Sequence, residues 1–270
     1  MYSVLMSVYF KEKPEYLYES MESIWNQSVK TDDFVLVCDG PLTKELDEII
    51  NDMKKKHPEL HVIRLKKNGG LGNALNIGIK HCKNELVARM DSDDISRIYR
   101  CEKQLAIFEQ FPDISVVSGT VEEFSTEVKS IEAKRVLPEK NEEIVKFAKS
   151  RNPFNHPCVM YRKSDIERVG GYKDFYLLED YYLWIRILKN GLKGYNIEEP
   201  LLYMRAGADM YKRRSGLKYA KSQRRLFRYM RDIGFISRGE CLKSMLVRTT
   251  ASIMPNKLRK KMYEMRMRKK

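Results

Sequence analysis

Residues 33–39 read DFVLVCD, an unbroken apolar run closed by an acid at either end. A strand with one wet face alternates apolar and polar residues; a short continuous run is expected of a strand covered on both faces. What lies on either side has the same rhythm. Upstream, YSVLMSVYF (2–10) reads as a strand and PEYLYESMESIWNQ (14–27) as a helix, with Pro14 in the first turn and Leu17, Met21, Ile24 and Trp25 on one face. Downstream come a helix near 43–56, the strand HVIRL (61–65), the helix GLGNALNIGIKHC (70–82), the strand ELVARM (85–90), a helix near 97–111 and the strand ISVVSG (114–119). Strands separated by helix-length connections imply a mostly parallel sheet with helices on both sides.

After residue 120 the rhythm changes. The stretch 120–138 reads as irregular or antiparallel strand, 139–150 as a helix and HPCVMYR (156–162) as a short strand. DYYLWIRILKNG (180–191) reads as a helix ending at a glycine, and LKGYNIEEPLLYMR as a strand. The expected organisation is one α/β domain over 1–212 and a basic helical extension over 213–270.

Composition agrees with a folded chain of 270 residues: 43% hydrophobic and 33% charged. No apolar run reaches the roughly 18–20 residues of a membrane span, and MYSVLMSVYFKEK lacks the flanks of a signal peptide. Five scattered cysteines without a CxxC pair point to reduced thiols in the cytoplasm. The net charge of +14 is uneven: residues 211–270 carry 20 Lys/Arg against three acids, whereas the first 210 residues are slightly acidic. Such a tail is expected to meet an anionic partner.

In open α/β sheets, ligands bind beyond the carboxyl ends of the strands. Four predicted strands end in reactive or glycine-rich sequence: Ser7-Val8-Tyr9, Asp39-Gly40, Asn68-Gly69-Gly70 and Asp91-Ser92-Asp93. Carboxylates at i and i+2 can converge on one hard cation, Mn²⁺ or Mg²⁺, whose other positions are left to water or phosphate. The plainer alternative has Asp94 or Ser96 capping the next helix and the other acids solvated. Residues 68–76, NGGLGNALN, resemble a dinucleotide fingerprint only superficially, because Leu75 replaces the third small residue. His156 is expected behind the site, as a buried hydrogen-bonding residue. Glu179 and Asp180 open a helix, where acids suit the macrodipole; the functional alternative is a general base.

Taken in order, VLMSVYF, VLVCDGP, NGGLGNALNIGI, ARMDSDD, NPFNHPCVMYR and GGYKDFYLLEDYYLWIRI resemble a family 2 glycosyltransferase of GT-A fold, similar to bacterial enzymes of capsule, exopolysaccharide and O-antigen assembly. The resemblance covers roughly 2–205. It implies that Tyr9 and Asp39 contact the uridine of a UDP-sugar, and that Asn73 and Arg89 shape the nucleotide-sugar pocket. It implies further that Asp91 faces the ribose or donor sugar, that Asp93 binds the metal–diphosphate, and that Asp180 is the base of an inverting transfer. Asp94 is expected to stay near the following helix start. Trp184 and Arg186 would support the acceptor site and helix packing, and Arg205 with Arg213 and Arg214 would close over the diphosphate. Many members carry two adjacent acids where this chain has Cys38-Asp39, which leaves the uridine to one carboxylate.

The implied partners are a UDP-sugar (galactose, glucose or an N-acetyl form), a saccharide acceptor carried on a polyprenyl diphosphate, and an anionic membrane surface at the inner face of the plasma membrane. That surface would meet the basic segments RRLFRYMRDIGFI (224–236) and PNKLRKKMYEMRMRKK (255–270). A nucleic-acid-binding protein is the rival reading of the charge, but no helix-turn-helix, zinc or RNA-recognition pattern accompanies it. A sugar-nucleotide pyrophosphorylase would want a glycine- and arginine-rich loop after the first strand, and VYFKEKPEY has none.

Overall fold

The computed structural model describes residues 1–206, apart from 126 and 129, and 216–253, with the side chains of 251–253 left aside. Strands β1 (Ser3–Val8), β2 (Asp33–Cys38), β3 (Leu60–Arg64) and β4 (Leu86–Asp91) alternate with helices α1 (Pro14–Trp25), α2 (Lys44–Lys56) and α3 (Leu71–His81). They pair in parallel in the order β3-β2-β1-β4. The DFVLVC strand is buried throughout, and its residues alternate between two cores. Val35 and Val37 join Leu5, Ala74 and Leu75 on one face, while Phe34, Leu36 and Cys38 join Val4, Met6 and Leu17 on the other. A two-residue strand period with apolar partners on both sides is what makes the sequence run unbroken.

The second half completes the sheet with mixed directions. A two-residue strand β5 (Ile95–Ser96) precedes α4 (Arg100–Gln110), and β6 (Ile114–Phe124) pairs with the short β7 (Ala133–Arg135). Next come α5 (Asn141–Ala148), β8 (Met160–Arg162), α6 (Lys163–Arg168), α7 (Glu179–Lys189) and β9 (Lys193–Arg205). β8 lies antiparallel between β4 and β6, β6 runs parallel to β9, and β5 pairs antiparallel with the end of β9.

Three expectations are corrected. The strand at 114–119 continues through Phe124, because Glu122 and Glu123 are buried yet ion-paired, with Arg97 and Lys134 and with Arg135. Of HPCVMYR, residues His156–Cys158 form a 3₁₀ turn and only Met160–Arg162 pairs, since Pro157 has no N–H for a ladder. The helix expected from 97 starts at Arg100, so Asp94 caps no helix.

At the C-terminus, α8 (Gly216–Asp232) and α9 (Arg238–Ile253) pack against each other. Tyr219, Leu226, Phe227 and Met230 of α8 enter the same core as α7, so the extension is built onto the α/β body. Arg213, Arg214 and the segment 255–270 lie outside the described residues.

Candidate active site

The parallel register brings four strand ends to one edge: Val8 lies opposite Cys38, Cys38 opposite Arg64, and Ser7 opposite Asp91. Just past β2, the buried Asp39 accepts the backbone N–H groups of Gly69 (2.7 Å) and Gly70 (2.9 Å), one on each carboxylate oxygen. Asn68 Nδ2 donates to the Asp39 carbonyl (3.1 Å). This close approach needs Gly40, where φ is +92° and a Cβ would stand 2.6 Å from the Asn68 nitrogen. Asn73 is exposed, with its amide against Gly69, and Tyr9 stands half-exposed at the end of β1. The lone acid of VCDGP therefore pins the glycine turn that fronts the sheet edge.

At the end of β4, ligand atoms of Asp91, Asp93 and Asp94 all lie within 4.8 Å of one another. Arg89, fully buried, forks onto both oxygens of Asp91. Burial works against the Arg89 charge, but Asp91, Tyr172 and Asp94 together hold its pKa up. The expectation that Arg89 touches the nucleotide-sugar is thus corrected: with no exposed surface, it reaches the site only through Asp91. Asp93 is pushed up to about 7 by burial and by the charges of Asp91 and Glu12. Asp94 is raised well above the carboxylate range by burial and by the charges of Asp93 and Asp91.

Asp94 corrects a second expectation. Rather than staying at the helix start, it is buried, accepts the Arg205 backbone N–H (2.8 Å) on one oxygen, and has no partner for the other among the described residues. Strand β5 makes this possible by pairing Ile95 with Tyr203, which carries the end of β9 to the acids. The Arg205 guanidinium donates to the Asp93 carbonyl (3.0 Å) and to Glu19 (2.7 Å), stacked between Tyr16 and Phe124. Three crowded carboxylates, two with raised pKa and one with an orphaned buried oxygen, fit a hard divalent cation with oxygen ligands.

Asp180 and Glu179 form the first turn of α7. Asp180 accepts from Asn152 Nδ2 (2.6 Å) and from the Tyr181 backbone (2.7 Å), which fixes its carboxylate. Glu179 is raised to about 7 by burial and by the Asp180 charge, and its Oε2 lacks a partner among the described residues. Leu177, two residues earlier, has φ +56°, a left-handed conformation rare for leucine. His156 is buried, hydrogen-bonded to the Tyr172 hydroxyl (2.8 Å), and held neutral by desolvation and by Arg89. Tyr172 in turn feels the charges of Arg89, Asp180 and Asp91, so both groups of acids act on it. Trp184 is fully buried, edge-on to Phe154 and His156, and offers no surface to an acceptor. Arg186 donates to the carbonyls of Val169 and Gly171, and Asn76 clamps Tyr172 by two backbone hydrogen bonds.

Several contributors escaped the sequence reading. Glu12 adds charge beside Asp93 and accepts from Ser92 Oγ (2.5 Å), while Glu19, Asn152 and Tyr172 hold Arg205, Asp180 and His156. Each lies far in sequence from the group it holds, so no spacing signals it. Asn152 and Tyr172 do fall inside the NPFNHP and GGYKDF stretches.

The family model for glycosyl transferase family 2 matches residues 3–170. An uncharacterized glycosyltransferase of Haemophilus influenzae is 41% identical over 99% of both chains. The amylovoran biosynthesis glycosyltransferase AmsE of Erwinia amylovora is 40% identical over 98% of both. The Escherichia coli UDP-Gal:alpha-D-GlcNAc-diphosphoundecaprenol beta-1,3-galactosyltransferase is 37% identical over 97% of this chain and 95% of its own. Among solved structures, Staphylococcus aureus TarS 1-349 in complex with UDP-GlcNAc superposes with TM-score 0.70 at 18% identity, over 98% of this chain and 75% of that one. The Pyrobaculum calidifontis mannosyltransferase PcManGT, in complex with GDP-Man and Mn²⁺, gives 0.66 at 14%, over 92% and 69%. Both likenesses concern the fold, which is the GT-A architecture.

Proposed function

Because the chain belongs to glycosyl transferase family 2, we propose that it moves a sugar from a UDP-sugar to a saccharide carried on a polyprenyl diphosphate, with inversion, during bacterial surface-polysaccharide assembly. The observation that carries this reading is the trio of converging acids at the carboxyl edge of the sheet, together with Asp180 in the first turn of α7. UDP-galactose is the first donor to test, since the galactosyltransferase relative is named for it and matches this chain nearly end to end.

The parts divide the work. Tyr9 and Asp39 with its glycine turn form the uridine end, and Asn73 lies where the nucleotide would be covered. Asp93 and Asp94 offer oxygens to Mn²⁺ or Mg²⁺, and Asp91 is oriented by Arg89 toward the donor sugar. Bound there, the cation supplies positive charge against the diphosphate leaving group. Arg205 stands beside the same acids and adds a second cation. Asp180, held by Asn152, takes the proton of an acceptor hydroxyl as the oxygen attacks C1 of the donor. One displacement inverts the anomeric centre, so an α-linked UDP-sugar yields a β-glycoside. His156 and Trp184 lie behind this surface and keep its walls in place. No helix among the described residues is long and apolar enough to cross a membrane, which is compatible with peripheral attachment at the inner face.

The test is UDP release from a panel of UDP-sugars with Mn²⁺ and a lipid-linked acceptor, with product linkage assigned by NMR. Asp93→Ala should abolish release. Release that is metal-independent and unchanged in that variant would overturn the reading.

A further inference from the structure

Helix α8 has two unlike faces. Tyr219, Leu226, Phe227 and Met230 are buried in the core, and the opposite side carries Lys221, Arg224, Arg225 and Arg228 along an open groove that Tyr229 and Asp232 also line. Beside it, α9 turns Leu242 and Leu246 outward, one helical turn apart and 70% and 68% exposed, with Val247 44% exposed. The two features adjoin: Arg224 donates to Thr249 Oγ1 (3.1 Å), and Thr249 neighbours Leu246 at i+3 on α9. A leucine ridge flanked by a row of cations matches the interface of an anionic bilayer, where headgroups meet the cations and acyl chains meet the leucines. A second copy of the chain is a poorer fit, because a two-fold contact would set cation row against cation row.

The same helices hold the surroundings of Asp180. Ser222 Oγ donates to the Tyr176 carbonyl (2.8 Å) and Lys218 lies over the Tyr176 ring, four residues before Asp180. Phe227 packs edge-on to Tyr181, the residue after it. On the other side Arg248 of α9 donates to the Ser150 carbonyl, two residues before the Asn152 that fixes Asp180.

We propose that the outer face of the α8–α9 pair docks on an anionic lipid surface and so seats the Asp180 side of the site where a lipid-carried acceptor emerges. The docking stands on the α8–α9 surface itself; the acceptor's approach to Asp180 rests on the function proposed above.

The full-length protein is sedimented with vesicles of phosphatidylglycerol and phosphatidylcholine, and with phosphatidylcholine alone. The expected result is binding to the mixed vesicles only, weakened at least about tenfold as salt is raised to about 1 M. Lys221→Glu/Arg228→Glu and Leu242→Ser/Leu246→Ser change exposed side chains, and each pair should weaken vesicle binding about tenfold or more. UDP release with a short water-soluble acceptor should be unchanged in both. Wild-type vesicle binding by both pairs would overturn the proposal, as would a concentration-dependent dimer that Leu242→Ser/Leu246→Ser dissolves. If the variants lose vesicle binding while no UDP-sugar is ever turned over, docking stands and the enzymatic reading fails.

Discussion

Two groups of acids act on the same Tyr172 hydroxyl, and they are built in opposite ways. Asp91, Asp93 and Asp94 crowd together at a strand end, and burial with mutual repulsion raises Asp93 and Asp94. Their cationic neighbours, Arg89 and Arg205, satisfy only part of the charge, and Asp94 keeps an unpartnered oxygen. Asp180 instead sits at a helix N-terminus, where the macrodipole favours a carboxylate, and takes hydrogen bonds from an amide and a backbone N–H. The first arrangement is deficient in positive charge and suited to a metal; the second is complete in itself and suited to accepting a proton. The contrast teaches that clustering alone says little: what each acid is bonded to decides its use.

The largest effect should come from breaking the second region while leaving the first intact. Asp180→Asn keeps the shape and the Asn152 contact region but cannot accept a proton. UDP binding should persist with turnover lowered about 10²–10⁴-fold, read by UDP titration calorimetry beside UDP-release kinetics. Near-normal turnover would place the base elsewhere.

The next cut is at the support of the first region. Arg89→Met leaves Asp91 without its fork and should cost about 3 kcal/mol of stability, the lower end for breaking a buried pair because Asp91 is partly exposed. Urea denaturation measures it. Arg89→Lys restores charge without the bidentate geometry, so it should recover part of the stability while turnover stays low. A Lys variant with full turnover would show that the orientation of Asp91 is unimportant.

How far the sequence foretold these regions follows from the range of the interactions. The sheet half was legible because DFVLVC and its neighbours carry their environment in their own periodicity. The crevice was legible because parallel strands end on one edge, which needs only strand order. The role of Asp94 was not: it depends on β5, two residues long, meeting β9 more than a hundred residues later. Arg89 looked like a pocket residue because burial is a tertiary property, and a polar residue two places before the acids can point either way. Glu122 and Glu123 hid the unbroken continuation of β6 for the same reason, their partners lying outside the local window.

The smallest expected effect separates the two regions by pH. Glu179 has a folded pKa of about 7 against an ordinary 4.5, raised by burial and by Asp180. Its contribution is therefore fully present below about pH 4.5 and is lost as pH rises through 7, since the folded state binds the extra proton. Glu179→Gln keeps the shape without the ionisation. The variant should match wild type near pH 4 and be more stable by about 1–3 kcal/mol at pH 8, read from urea midpoints across that range. Saturating Mn²⁺ acts on the other acids and should raise the stability of both proteins alike at pH 8. A Mn²⁺ effect that disappears in Glu179→Gln would mean that the two groups of acids form one site.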